Sequence, residues 1–263
     1  MNRITPKYHK RRYKMRSITL TVLIVMFIWT LCAQTAVIEY GKLDNDQLRI
    51  LADKNDVEAC YQLGMNYYSD AEAAYEDYYY YYDEYDYEDY DASTDSDYAA
   101  ALKWFIKAGD LGNITAQNYV GIMYKNGEGT ARNYSEAFKW YSKAAAKGNR
   151  YSQYNLGNSY AEGWLGPKNE AKASEWYLKA AENMHPWSQG IIAQRYADGT
   201  GLTKDIKKAY FWAYIAFHYG DTEVQNAADT ILNDLLSTLT NDQSVKIIKD
   251  AEAWIENHPE PED

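Results

Sequence analysis

The sequence predicts an all-α fold, an α-solenoid of about four 36-residue helix-loop-helix repeats with helical caps. Three observations carry this. A tryptophan returns every 36 residues, at Trp104, Trp140, Trp176 and Trp212. Gly121, Gly157 and Ala193 form a second column at that spacing, and Tyr124, Tyr160 and Tyr196 a third. Within one unit Ala137, Trp140, Tyr141, Ala144 and Ala145 recur at the spacing of one helical face.

The elements follow in chain order. Residues 1–16 hold seven Lys and Arg and no acid, and an apolar run continues from Ile18 to Ala33. Residues 1–38 therefore read as a basic N-terminus with a signal peptide or a signal anchor, the basic flank staying cytoplasmic and the remainder exported. Cleavage after Ala33 would put Leu31 where a small residue is preferred, so both forms stay open. Residues 39–56 predict a capping helix that covers the first unit.

The first unit carries 21 more residues between Gly64 and Trp104 than its siblings have between the matching positions. The surplus lies in residues 70–97, which hold twelve acids, nine tyrosines and no Lys or Arg. Such charge density without aliphatic residues predicts a mobile loop. Tyrosine rings supply contact area at low entropy cost, so Tyr78, Tyr79, Tyr80, Tyr81, Tyr82, Asp83 and Glu84 are candidates for contact with a basic partner surface. Deleting residues 70–97 is expected to spare the fold and weaken binding. Asp91, Ser93, Asp95 and Asp97 resemble the start of a calcium loop, but the glycine and the final acid are missing.

In the later units Ala116, Val120, Gly121 and Tyr124 mark a first helix, and Gly127 and Gly129 break it before Asn133 can cap a second. Gly112 with Asn113, and Gly148 with Asn149, predict a left-handed helix end followed directly by the next cap. The units then need no linkers. The tryptophans are expected to seal successive hairpins, while the small residues at Gly121, Gly157 and Ala193 admit a close helix.

On the stretches AQNYVGIMYKNGEGTARNYSEAFKWYSKAAAKG and SQYNLGNSYAEGWLGPKNEAKASEWYLKAAE the chain resembles the Sel1-like repeat family, relatives of tetratricopeptide repeats. The resemblance spans residues 57–221 and implies a right-handed solenoid that holds other proteins; it does not imply a reaction. Leu165 in place of the second loop glycine, and Met184 in place of the closing glycine, depart from the pattern and predict local irregularity. Residues 222–263 predict a C-terminal helical cap, with Ile231, Leu235, Ile247 and Trp254 among its apolar positions.

Composition excludes much else. The chain has 38 acids against 27 basic residues, and residues 39–263 alone carry a net charge of −18. Nucleic acid and anionic lipid are therefore poor partners. Cys32 and Cys60 are the two cysteines, so the repeats cannot hold the paired cysteines of those secreted relatives that act on β-lactams. His9, His185, His218 and His258 show no metal-ligand spacing. No catalytic residue, metal or cofactor is expected, and a cell-wall or β-lactam hydrolase is the least favoured reading.

The expected function is binding of another protein, probed on the inner face by Asn118, Ile122, Tyr154, Asn158 and Gln194. An immunity protein that neutralises a toxin in the periplasm is one form of this expectation, and an envelope scaffold at the inner membrane is the other. Membrane contact would come through the N-terminal segment if it is retained.

Overall fold

The structure is a computed structural model that describes residues 38–81 and 96–259, and gives side chains outside residues 75–81. Two units separate, residues 1–43 and residues 44–263. In the first, a 3-10 turn spans Tyr40–Lys42, and Lys42 pairs with Glu39. The proposed signal or anchor segment lies outside the described residues. Among those described, no helix is long and apolar enough to cross a membrane.

The second unit is all helix: α1 Asn45–Ala52, α2 Val57–Tyr81, α3 Ser96–Asp110, α4 Ile114–Asn126, α5 Tyr134–Ala145, α6 Arg150–Glu162, α7 Glu170–Glu182, α8 Pro186–Asp198, α9 Ile206–Tyr219, α10 Thr222–Leu236 and α11 Asn241–Asn257. Each helix from α1 to α9 packs on the next, and both α10 and α11 pack on α9. This is a right-handed α-solenoid whose repeats pair a first helix (α2, α4, α6, α8) with a second (α3, α5, α7, α9).

The junctions between repeats follow from three residues. Gly148 takes the left-handed conformation at φ 89°. This lets the Asn149 amide reach back to the Ala144 carbonyl at 3.1 Å, while its side chain accepts from the Ser152 amide at 2.8 Å. One residue thus closes one helix and opens the next. Asn113 repeats the arrangement, and His185 does so with its ring nitrogen as the cap. Before His185, Met184 holds φ 65° where the other junctions have glycine.

The indoles point inward. Trp104, Trp140 and Trp212 are each 7% exposed, and Trp176 is half-buried. Trp140 lies against the preceding hairpin, where a Cβ on Gly109 would stand 3.1 Å from its ring. A lysine three residues on lies over three of the rings, at 5.5 Å for Trp104, 3.7 Å for Trp140 and 4.1 Å for Trp176. At Trp212 the equivalent residue is the buried Ile215, and Trp254 of α11 packs edge-on to the indole at 5.7 Å.

Inside each hairpin the deeper contact belongs to the residue after the tryptophan. The rings of Phe105, Tyr141 and Tyr177 sit over Gly64, Gly121 and Gly157, so close that a Cβ on any of these glycines would come within 2.5 Å of the ring. In the fourth unit both partners change together. Ala193 stands in the glycine column and Ala213 in the ring column, and both are fully buried in one cluster. A third column is polar: buried Gln117, Gln153 and Gln189 donate to the carbonyls of Gly109, Ala145 and Ala181 at 2.7, 3.3 and 3.2 Å. These carbonyls lie in the last turn of the preceding second helices, where each also accepts from the amide of Gly112, Gly148 or Met184 and the glutamine supplies a second donor.

Two expectations change. The acidic tyrosine stretch starts as helix, because α2 runs to Tyr81. Ala71 is fully buried, and Glu72 accepts a 2.6 Å bond from the Tyr98 hydroxyl, so residues 70–97 include part of the first repeat. Ala71, Glu72, Ala73 and Ala74 are good helix formers, and this local preference prevails over charge repulsion. In the third unit Leu165 is exposed, and the loop is anchored by Trp164, which stacks on Tyr134 at 5.1 Å. Gly129 and Gly201 instead press their backbones against Tyr98 and Glu170 of the preceding second helices.

Candidate functional site

The first helices carry two stripes. Positions 116, 120, 121 and 124 face the core, whereas Thr115, Asn118, Tyr119 and Ile122 form a neighbouring stripe of the same periodicity. On α6 the matching stripe begins with Tyr151, Tyr154 and Asn155, and on α8 with Trp187. Together with Tyr61 of α2 they line an open groove of about 1020 Å³. Lys125, Asn149 and His185 complete its wall, and no carboxylate lines it among the described residues.

Three of its tyrosine rings, Tyr119, Tyr151 and Tyr154, are fixed by their neighbours. Tyr119 stacks on Phe105 at 4.9 Å and meets Tyr68 edge-on at 5.6 Å. The Tyr154 ring stacks on the His185 imidazole at 4.6 Å, and Tyr151 meets that imidazole edge-on at 5.4 Å. Arg150 lies over Tyr151 and donates to its hydroxyl at 3.1 Å and to the Met184 carbonyl at 3.4 Å. Burial, with Arg150 nearby, pushes the His185 imidazole down to about 4, so it is neutral at physiological pH. Two rings remain largely open, Tyr151 at 44% and Trp187 at 41% exposure.

Of the inner-face residues chosen from the sequence, Asn118, Ile122 and Tyr154 line the groove. Asn118 is also a link, since its side-chain oxygen accepts from Ser152 of the next repeat at 2.8 Å. Asn158 and Gln194 fall outside the lining. The first accepts from the Tyr177 hydroxyl at 2.6 Å, and the second is exposed and donates to Asp198 at 3.3 Å. Tyr78, Tyr79, Tyr80 and Tyr81 lie in the last stretch of α2, while Tyr82, Asp83 and Glu84 fall outside the described residues. Sequence reasoning missed Thr115, Tyr151 and Trp187, although they recur every 36 residues two places after Asn113, Asn149 and His185.

A second cluster of titratable groups lies between the first two repeats. Burial raises the Glu128 carboxyl above its usual range, although Asn126 donates to it at 2.6 Å. Its other oxygen and the Tyr141 hydroxyl are buried without a hydrogen-bond partner among the described residues. Burial also pushes the Tyr68, Tyr98 and Tyr141 phenols up, so all are neutral donors. No group of His, Cys, Asp and Glu among the described residues is placed to hold a metal. The groove itself presents rings and amides, with Lys125 and the neutral His185 in its wall.

Comparison with known proteins agrees with this architecture. A Sel1 repeat family model matches residues 57–113, 114–149, 150–183 and 190–218. A crystal structure of a Sel1 repeat protein from Oxalobacter formigenes is similar at 30% identity and a TM-score of 0.46, covering 49% of this chain and 97% of that one. Another is c5321, a protective antigen of uropathogenic Escherichia coli with an SLR fold, at 21% identity and a TM-score of 0.43. It covers 83% of this chain, which spans 52% of that protein. No curated protein matches. Sel1-like repeats typically mediate protein–protein interaction on a scaffold without catalysis. With four matched repeats over more than half of its length, the chain belongs to the Sel1 repeat family.

Proposed function

We infer that this protein binds a segment of another protein along the groove of its first helices. The observation that carries the reading is the open groove lined by Tyr61, Tyr119, Tyr151, Tyr154 and Trp187, with Tyr151 and Trp187 exposed and no carboxylate among its described lining residues. Rings immobilised before binding lose little entropy on contact, which favours them as anchors.

Selection of a random peptide library on the full chain tests this, with a Tyr151→Ala/Trp187→Ala variant in parallel. Peptides enriched on the first and lost on the second support the reading. Identical selections on both chains, or none on either, refute it. Circular dichroism of the variant separates lost binding from lost folding.

The same reading places the repeats outside the cytoplasm, supported by the basic residues that precede the apolar run Ile18–Ala33. A toxin-neutralising protein and an envelope scaffold are its narrower forms, and the acidic exterior suits a partner with a basic surface around the bound segment. The mass of the protein recovered from its native envelope distinguishes a released binder from an anchored scaffold.

A further inference from the structure

We propose that a second binding site lies between α9 and α11, and that it takes an acidic segment of a partner protein whose carboxylates flank an aromatic or aliphatic side chain. The site does not depend on the first-helix groove. It is a cavity of about 310 Å³ lined by Lys207 and Lys208 of α9 and by Lys246 of α11. The half-buried Phe211 and the buried Ile247 form its apolar part, and Asp250 is the one carboxylate among its described lining residues. The two helices run side by side in one direction, since Trp212 meets Trp254 at 5.7 Å and Tyr219 donates to the His258 carbonyl at 2.7 Å. Their N-terminal halves therefore meet at the cavity.

The lysines stand where helix electrostatics disfavours them. A first turn carries partial positive charge and is stabilised by acids. The sibling second helices follow this rule, with Asp97, Glu136 and Glu170 in their first turns. The first turn of α9 has no acid and holds Lys207 and Lys208. Sibling helices also pair their lysines, Lys139 with Glu136 at 2.6 Å and Lys179 with Glu175 at 2.9 Å. Lys207 and Lys246 have no ion-pair partner among the described residues, and Lys208 lies over the Tyr196 ring at 5.2 Å. Three ammonium groups around one cavity repel one another, and no carboxylate of the fold offsets them by pairing. A local rule broken without a structural gain marks a functional place, and an anionic ligand supplies the missing counter-charge.

The lysine side chains, not the helix amides, would make the contacts. Asp205 already accepts from the Lys207 and Lys208 amides at 3.0 and 3.1 Å, and Gln243 accepts from the Thr240 amide at 3.0 Å. The surroundings decide between anions. Residues 196–263 hold thirteen acids against five lysines and no arginine, so an extended polyanion such as nucleic acid meets more repulsion than attraction beyond the cavity. A short acidic segment needs only the local lysines. A bare inorganic anion would leave Phe211 and Ile247 uncovered, whereas a side chain set between carboxylates covers them.

Fluorescence anisotropy tests this with a labelled peptide of glutamates around two phenylalanines, titrated against the full chain. Saturable binding is expected, about tenfold or more weaker for the peptide with glutamine in place of glutamate and for the variant Lys207→Glu/Lys246→Glu. Serine in place of phenylalanine should weaken it severalfold. The variant should melt at or above the temperature of the parent, because glutamate suits the first turn of α9. Tyr151→Ala/Trp187→Ala should bind the peptide as the parent does, and loss of binding there would move the site to the groove and overturn the proposal. So would the absence of saturable binding, or equal binding by the lysine variant. Competition by inorganic phosphate or a DNA oligonucleotide at the concentration of the peptide would show general attraction of anions and overturn it too. A lysine variant that melts lower or does not fold would give these lysines a structural role, which removes the argument from their placement.

Discussion

Glycine to alanine at Gly121 and at Gly190 should change stability in opposite directions. Both residues lie inside first helices, α4 and α8, and at both sites alanine gains about 1 kcal/mol of helix propensity. At Gly190 a Cβ meets nothing within 4 Å, so the gain should be realised in full. At Gly121 the new Cβ would stand 2.5 and 2.6 Å from two atoms of the Tyr141 ring, where ordinary contact begins at 3.4 Å. The ring must retreat by nearly 1 Å. It is fully buried, so the retreat disturbs the hairpin, and overpacking of this kind costs about 1–3 kcal/mol. Gly190→Ala should thus raise Tm by about 2–4 °C, and Gly121→Ala should leave it unchanged or lower it by several degrees, about 1–3 kcal/mol separating the two. The fourth unit supplies a control, because there alanine stands in both columns. In a Tyr141→Ala background, itself weakened by about 3–5 kcal/mol, Gly121→Ala should become stabilising. Urea denaturation followed by circular dichroism measures all four variants. Equal stabilisation by Gly121→Ala and Gly190→Ala would show that the ring does not rest on this glycine, and the account of hairpin closure would be wrong.

Other predictions follow from the junctions and the buried polar groups. His185 titrates at about 4 when folded and about 6.5 when unfolded, so the unfolded chain takes its proton first, and stability falls as pH drops from about 6.5 to about 4. The loss is on the order of 3 kcal/mol when complete, and His185→Asn, which installs the cap of the sibling junctions, should flatten the profile in denaturation measured across that range. Glu128 acts in the opposite sense: its folded pKa is raised, so its ionisation costs stability as pH rises through the carboxylate range and above. Glu128→Gln should therefore be more stable than the parent at pH 7, with the difference shrinking on acidification in the same assay. Asn149→Ala should lose about 1 kcal/mol through its helix cap, read as a lower urea midpoint with an unchanged slope. Gln189→Ala should lose about 0.5–1.5 kcal/mol because the Ala181 carbonyl keeps the Met184 amide and loses its second donor, again by urea titration.

The contrast between neighbouring residues explains what the sequence reveals. Gly148 with Asn149 is readable because helix ends require residue types with narrow backbone and capping demands. Trp140 is readable because a large side chain at fixed period has few other uses. The role of Tyr141 is less visible. It differs from Trp140 by one position, and 100° of helical phase decides which faces the preceding hairpin and which faces its own glycine. The glutamine column at Gln117, Gln153 and Gln189 repeats as faithfully as the tryptophans. Glutamine is usually exposed, and here a second bond to the last carbonyls of the previous helix gives it a buried task. The stretch after Asp70 misleads in the other direction, since its tyrosines and acids mask four residues suited to a helix. In the groove, Asn118 and Tyr154 follow from helical geometry, whereas Asn158 is claimed by the Tyr177 hydroxyl, a bond across the hairpin that no spacing announces.

The groove and the core are consequences of one arrangement. In the first three repeats the second helix brings two adjacent aromatic residues, the tryptophan and a ring turned to its own first helix. Where that ring rests on glycine, the first helix contributes no Cβ, so the helices of a hairpin approach closely while the first helix spends few large side chains on the contact. Its own aromatic residues, Tyr119, Tyr151 and Tyr154, then serve the outer stripe, where Tyr119 stacks on Phe105 and the other two pack on His185. A change at Tyr151 or Trp187 should therefore move binding with little effect on stability, whereas a change at Gly121 should act on stability first and reach binding only through the spacing of the first helices. That separation is a physical property of stacked hairpins, because each interface is local and a surface row keeps its register as long as the interfaces beneath it hold.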